Sequence, residues 1–119
     1  MKRLPRTFGC PTELALELLG GKWKTVILAQ LKDGPVRYGE LRRRIPRVSD
    51  KVLTQCLQGL QERGLVARDA AADATVRYRL TAEGRSLRPL LLALYAWGEA
   101  QADRLGVTIL EQARDAADV

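Results

Sequence analysis

Lys51, Thr54, Gln55 and Gln58 follow one another at helical spacing along the segment SDKVLTQCLQGLQERG. At 3.6 residues per turn they fall on one side of a helix, opposite Leu53, Leu57 and Leu60. Each of the four side chains can donate or accept hydrogen bonds. A glutamine amide matches the edge of adenine, a lysine donates to guanine acceptors, and a threonine offers a hydroxyl or a methyl. Just before them stands ELRRRIPRVS, where Arg42, Arg43, Arg44 and Arg47 crowd a joint between two apolar segments. Positive charge there suits the phosphates that flank a groove. Solvation of an ordinary surface helix would also give a polar face, and the adjacent arginines favour the binding reading.

The other reactive side chains are few. The chain has two cysteines, Cys10 and Cys56, and no histidine. A Ser-His or Cys-His catalytic pair is therefore excluded, and so is a four-ligand Cys/His zinc site within one chain. Gly20-Gly21-Lys22 has the letters of a phosphate loop without its spacing. We expect no enzyme activity, no metal and no cofactor; Gly20-Gly21 reads as the end of one helix and the start of the next. Cys10 stands among Arg3, Arg6 and Lys22, a basic setting that lowers a thiol pKa, which makes it the candidate sensor. Cys56, at the margin of the leucine stripe, reads as packing. Trp23 and Trp97 lie on apolar stripes and are expected in the core.

The elements that must position these residues are legible from period and punctuation. Thr12 is read as the N-cap of a short helix with Leu14, Leu18 and Leu19 apolar and a glycine stop. A second, apolar on most sides, begins near Lys22 and ends at Asp33-Gly34-Pro35. Tyr38, Leu41 and Ile45 predict a third that Pro46 closes, and Ser49 caps a fourth, with Asp50 in its first turn and Gly64 ending it. The period then changes to two: Leu65 to Asp69 and Val76 to Thr81 alternate as a hairpin with AAADAT near its tip. A long helix opens at Thr81 with Glu83 in its first turn and runs towards Leu105, and Pro89 predicts a kink or break. A weakly patterned helical segment follows from Val107 to about Ala117.

Length and charge bound the rest. The 119 residues suit a single domain, 1–119, and 46% apolar content supplies one core. The apolar run Pro89 to Trp97 is far too short for a membrane span, the N-terminus has no secretory pattern, and a cytoplasmic protein is expected. Residues 1–88 carry 18 Lys/Arg against 9 Asp/Glu, whereas 89–119 carry 2 against 5. A basic body with an acidic, apolar tail predicts polyanion contact in the first part and partner packing in the last.

The order helix, helix, turn, helix, hairpin is that of a winged helix-turn-helix, mainly α with a small β hairpin. CP at 10, LLGGKWK at 18, DGPVRYGELRRRIP at 33, VSDKVLTQCLQGLQERGLVAR at 48, RYRLTAEGRSL at 77 and LYAWGE at 94 give the chain a close resemblance to the HxlR family of bacterial transcription regulators, relatives of the MarR group. It covers residues 10 to 99, leaving 100–119 as a C-terminal helical extension. The apolar surface of the terminal helices, at Leu14, Leu18, Leu87, Leu91, Leu94 and Tyr95, predicts the dimer interface. The resemblance implies a homodimeric repressor or activator on a palindromic operator. It implies double-stranded DNA as the partner, no membrane, and a small-molecule or oxidant inducer, since some members sense oxidants or electrophiles through an N-terminal cysteine. The residues expected to contact DNA are Arg37, Arg42, Arg43, Arg47, Ser49, Lys51, Thr54, Gln55, Gln58, Thr75 and Arg77. Family members commonly have a basic residue where this chain has Gln58 and an arginine where it has Thr75, which implies a different base preference and a different wing contact. The competing readings are a winged-helix protein-interaction module, which predicts no salt-dependent DNA affinity, and a small hydrolase or transferase, disfavoured by the missing histidine and phosphate loops.

Overall fold

The computed structural model describes residues 3–110. Helix α1 (Pro11–Leu19) and α2 (Lys22–Leu31) lead into a short strand β1 (Val36–Arg37), then α3 (Tyr38–Arg44), α4 (Asp50–Glu62), the hairpin β2 (Val66–Ala70) and β3 (Val76–Leu80), a turn of helix α5 (Ala82–Arg85), and α6 (Arg88–Leu105). The three strands form an antiparallel sheet of order β1-β3-β2. This is the winged helix-turn-helix expected from the sequence, with one strand added.

The core is aliphatic. Ile27, Leu28 and Leu31 of α2, Leu41 of α3, Leu53, Leu57 and Leu60 of α4, and Leu91 of α6 are each almost fully buried, with Val66, Tyr78 and Leu80 joining from the sheet. No polar side chain is buried among the described residues, so nothing in the core competes with apolar packing. The leucine stripe of α4 is the contact that fixes which face of that helix is left outside.

Helix ends follow local chemistry. Ser49 Oγ accepts the Val52 N–H at 3.1 Å, as its N-cap position requires. At the other end of α4, Gly64 takes φ +75°, its N–H bonds the Gln61 carbonyl at 3.0 Å, and the Leu65 N–H bonds the Leu60 carbonyl at 3.0 Å. That pair of bonds turns the chain sharply from recognition helix to wing. At α1 the cap is Cys10 rather than Thr12. Proline at the first helical position gives up no hydrogen bond, so the helix starts at Pro11.

The break expected at Pro89 is real and falls just before it, because proline is accommodated in the first turn of a new helix. Thr81 Oγ1 accepts the Gly84 N–H at 3.1 Å and donates to the Gly64 carbonyl at 2.6 Å, so the start of α5 is tied to the end of α4. Gly84 is buried there, and a Cβ on it would lie 2.1 Å from the Leu65 carbonyl oxygen.

Three expectations are corrected. Trp97 is 67% exposed, because beyond Leu91 the α6 helix carries its apolar residues away from the core. Leu91, expected on a dimer face, is 1% exposed and packs in its own chain's core. Residues 107–110 follow the left-handed cap Gly106 without helical structure, and the remainder of the helix expected from Val107 lies outside the described residues.

Candidate DNA-binding surface

The arginines at the joint divide into two kinds. Arg42 Nη1 donates to the Val48 carbonyl, and Arg42 Nε pairs with Asp50 Oδ1 at 2.8 Å. The same carboxylate oxygen accepts the Tyr38 hydroxyl at 2.9 Å. Arg42 was expected to face phosphate; two of its nitrogens instead tie the end of α3 to the first turn of α4. Arg44 is likewise turned inward, with Nη1 on the Gln30 carbonyl at 3.3 Å and Nε on Glu40 Oε1 at 3.2 Å. Arg43 shares Glu40 but leaves 71% of its side chain exposed, and Arg47 is exposed. Hydrogen bonds from Arg43 and Arg44 hold the Glu40 carboxyl below the usual carboxylate range, against the opposing effect of partial burial.

On α4, Lys51, Thr54, Gln55 and Gln58 are all exposed on the side away from Leu53, Leu57 and Leu60. Thr54 Oγ1 lies 3.5 Å from the Tyr38 hydroxyl, beside the Arg42–Asp50–Tyr38 contacts. Ser49 spends an acceptor lone pair on its helix cap and keeps its hydroxyl hydrogen for an outside partner. One rigid helix face thus presents four hydrogen-bonding side chains with the exposed Arg43 and Arg47 beside it. Sequence reasoning missed Tyr38 and Asp50 as its supports. Asp50 was read as a helix-dipole acid, and only the fold brings Tyr38 and Arg42 to it.

The wing adds a second positive edge. Arg37 of β1 and Arg77 of β3 are cross-strand partners, and both are exposed. Like charges in that position repel, and an anion lying between them removes the penalty. Arg79 is spent within the sheet, its Nε 2.6 Å from Asp69 Oδ2. Thr75 turns its hydroxyl to Asp73 Oδ1 at 2.7 Å and its N–H to the same oxygen at 3.1 Å. These bonds hold the Asp73 carboxyl below its ordinary range and close the hairpin tip. Ala74 takes φ +67° in that tip, a conformation that disfavours a Cβ.

Cys10 is exposed at the start of α1, where the Glu13 carboxylate accepts the Cys10 N–H at 3.0 Å. Its thiol pKa is lowered first by the backbone N–H of Glu13 and then by that of Thr12, which favour the thiolate. The expected cause, nearby basic side chains, is replaced by the free amides of the helix start. Burial pushes the Cys56 thiol up, partly offset by the charge of Lys24.

The residues expected at a dimer contact sit on α1 and α5–α6. Leu14 and Leu94 are exposed, Leu18 is half-buried, Leu87 packs against the core, and half-buried Tyr95 has Lys32 Nζ 5.2 Å from its ring. Leu16, Leu90, Leu92 and Trp97 are also exposed and were not singled out for that role. The Cα radius of gyration, 15.2 Å, exceeds the roughly 13 Å of a compact chain of this length, consistent with helices that stand off the body.

Comparison with known proteins agrees with this geometry. The HxlR-like helix-turn-helix model matches residues 18–105, from the last two residues of α1 to the end of α6. The HTH-type transcriptional regulator YdeP of Bacillus subtilis is 39% identical over 112 residues, covering 92% of this chain and 86% of its own. Among solved structures, the redox regulator HypR in its oxidized form superimposes with a TM-score of 0.72 at 38% identity, covering 76% of this chain and 96% of that one. Quinone-bound YodB from B. subtilis gives a TM-score of 0.63 at 34% identity, covering 76% and 99%. No helix among the described residues is long and apolar enough to cross a membrane. With its fold, its exposed recognition face and these relatives in agreement, the chain belongs to the HxlR-like helix-turn-helix family of DNA-binding transcriptional regulators.

Proposed function

We propose that the protein regulates transcription as a homodimer on a palindromic operator, reading bases through Lys51, Thr54, Gln55 and Gln58 and phosphates through Arg37, Arg43, Arg47 and Arg77. The observation that carries this reading is the exposed polar face of α4, with Arg43 and Arg47 exposed at its N-terminal end. Pairing two copies through α1 and α6 would cover Leu14, Leu16, Leu94 and Trp97 and space the recognition helices by about 34 Å, one DNA turn. In a selection for bound duplexes followed by titration, Gln55→Ala or Lys51→Ala costs about 1 to 3 kcal/mol at the operator and relaxes base preference. Equal affinity of wild type and variants for all duplexes contradicts it.

The signal we propose is an oxidant or a quinone-like electrophile acting at Cys10. HypR is described as a redox regulator and YodB has been solved with quinone bound; here, the exposed thiol and its lowered pKa support the same chemistry. The thiolate adds to a ring carbon of the quinone, the displaced electron pair moves to the carbonyl oxygen, which solvent protonates, and loss of the proton from the attacked carbon to solvent leaves a hydroquinone thioether. An adduct beside α1 then shifts the spacing of paired recognition helices. Treatment with benzoquinone is expected to change operator binding by wild type and Cys56→Ser but not by Cys10→Ser. An unaffected wild type, or a Cys10→Ser that responds as wild type does, contradicts it.

A further inference from the structure

Two links tie α6 to α2, and each places a cation at the C-terminal end of α2. Arg88, the first residue of α6, donates from Nε to the Lys32 carbonyl at 3.3 Å and from Nη2 to Asp33 Oδ1 at 3.2 Å. Lys32 reaches the other way. Its side chain is only 10% exposed, and its Nζ lies 3.6 Å from Asp33 Oδ2, 3.2 Å from the Ala29 carbonyl that accepts it, and 5.2 Å from the centre of the Tyr95 ring. Positive charge suits the negative pole at which a helix ends, and an aromatic face adds to the attraction. Arg88 and Tyr95 are seven residues apart, about two turns, so they share one face of α6 with the buried Leu91 between them. A single contact lets a helix pivot, whereas two contacts about 10 Å apart along its axis fix its direction.

That direction matters because of what α2 and α6 each carry. Helix α2 is one body with the recognition helix, since Ile27, Leu28 and Leu31 share the core with Leu53, Leu57 and Leu60 of α4. Helix α6 carries Leu94 and Trp97, exposed residues of the proposed pairing surface, and beyond Tyr95 none of its side chains is buried. From Tyr95 to Leu105 is about 15 Å of helix, so a tilt of about 13° at Tyr95 displaces the end of α6 by about 3.4 Å, the rise of one base pair. We propose that Arg88, Asp33 and Lys32 are positioning residues, which fix the angle at which α6 crosses α2 and thereby set the half-site spacing that the dimer accepts. This inference rests on the homodimer and operator reading given above. An exposed ion pair such as Arg88–Asp33 stabilises a fold little, so its loss is expected to change geometry rather than unfolding.

The first arm of the test uses the full chain without DNA, in a Cys10→Ser/Cys56→Ser background, with one nitroxide label at Gln58→Cys on the exposed face of α4. In a dimer the two labels report the separation of the recognition helices by pulsed electron resonance. The parent is expected to give one narrow distance. Arg88→Ala, Lys32→Met and their combination are expected to keep the parent's circular dichroism and to shift or broaden that distance by about 3 Å, one base-pair step. Arg104→Ala, which removes an α6 cation whose Nε bonds Gln101 within the same helix, is expected to leave it unchanged. In the second arm, affinity is measured without the label for duplexes whose two half-sites are separated in one-base-pair steps. Wild type is expected to lose about tenfold on either side of its best spacing, whereas the Arg88 and Lys32 variants lose less than about threefold or prefer another spacing. A distance or a spacing preference unchanged in all three of those variants overturns the proposal, as does an equal response to Arg104→Ala. A parent that shows no distance between labels at micromolar concentration is a different result, which overturns the dimer reading and the spacing role with it.

Discussion

The helix-turn-helix joint and the wing are both rich in arginine, and they use it differently. At the joint, Arg42 and Arg44 reach back to the carbonyls of Val48 and Gln30 and to the carboxylates of Asp50 and Glu40, leaving Arg43 and Arg47 exposed. On the wing, Arg79 is spent on Asp69, while Arg37 and Arg77 stand side by side and exposed, with Asp73 and Asp69 as their acidic neighbours. The joint is built by its arginines, whereas the wing is built by its base and carries arginine as cargo. A count of basic residues in a segment therefore overstates how many can meet DNA.

The largest expected effect is at the wing's base. Gly84→Ala drives a methyl into the Leu65 carbonyl, and since that contact is backbone it cannot be relieved by a rotamer change. A loss of about 3 kcal/mol in denaturant unfolding is expected, at the upper end of overpacking costs; a wild-type midpoint would show that α5 does not dock as described. Next comes Arg42→Ala, which leaves the Val48 carbonyl without its Arg42 partner and Asp50 with the Tyr38 hydroxyl but no counter-charge from Arg42. Partial exposure moderates the cost to about 1 to 2 kcal/mol of stability, with weaker operator binding alongside. Arg42→Lys is expected to restore little, because one ammonium cannot span both acceptors in the fork geometry. The smallest effect lies at the tip: Ala74→Gly removes left-handed strain and is expected to stabilise by about 0.5 to 1 kcal/mol while leaving DNA affinity unchanged.

The same comparison explains what the sequence could and could not convey. The α4 stripe, its serine cap and the glycine that ends it are set by neighbours within a turn or two, so periodicity located them. The two-residue strand β1 has no period to detect; it exists because β3 offers Tyr78 and Arg77 as partners. Arg42's inward role depends on Asp50 and Val48 being brought across a turn, and Gly84's necessity depends on the close approach of Leu65, 19 positions earlier in the chain. Leu91 and Trp97 lie on one apolar run, yet one is core and the other surface, because only the first part of α6 faces the body. Contacts remote in sequence decided each case where periodicity failed.

The central claim is that the exposed arginines, not every arginine of the joint and the wing, carry the electrostatic contact with DNA. It is tested most directly by operator affinity measured from low to moderate salt for wild type, Arg43→Ala and Arg79→Ala. The expected result is a steep linear fall of log affinity with log salt in wild type, a slope shallower by about 1 for Arg43→Ala, and an unchanged slope for Arg79→Ala. A wild-type affinity indifferent to salt, or equal slopes for wild type and Arg43→Ala, would contradict it.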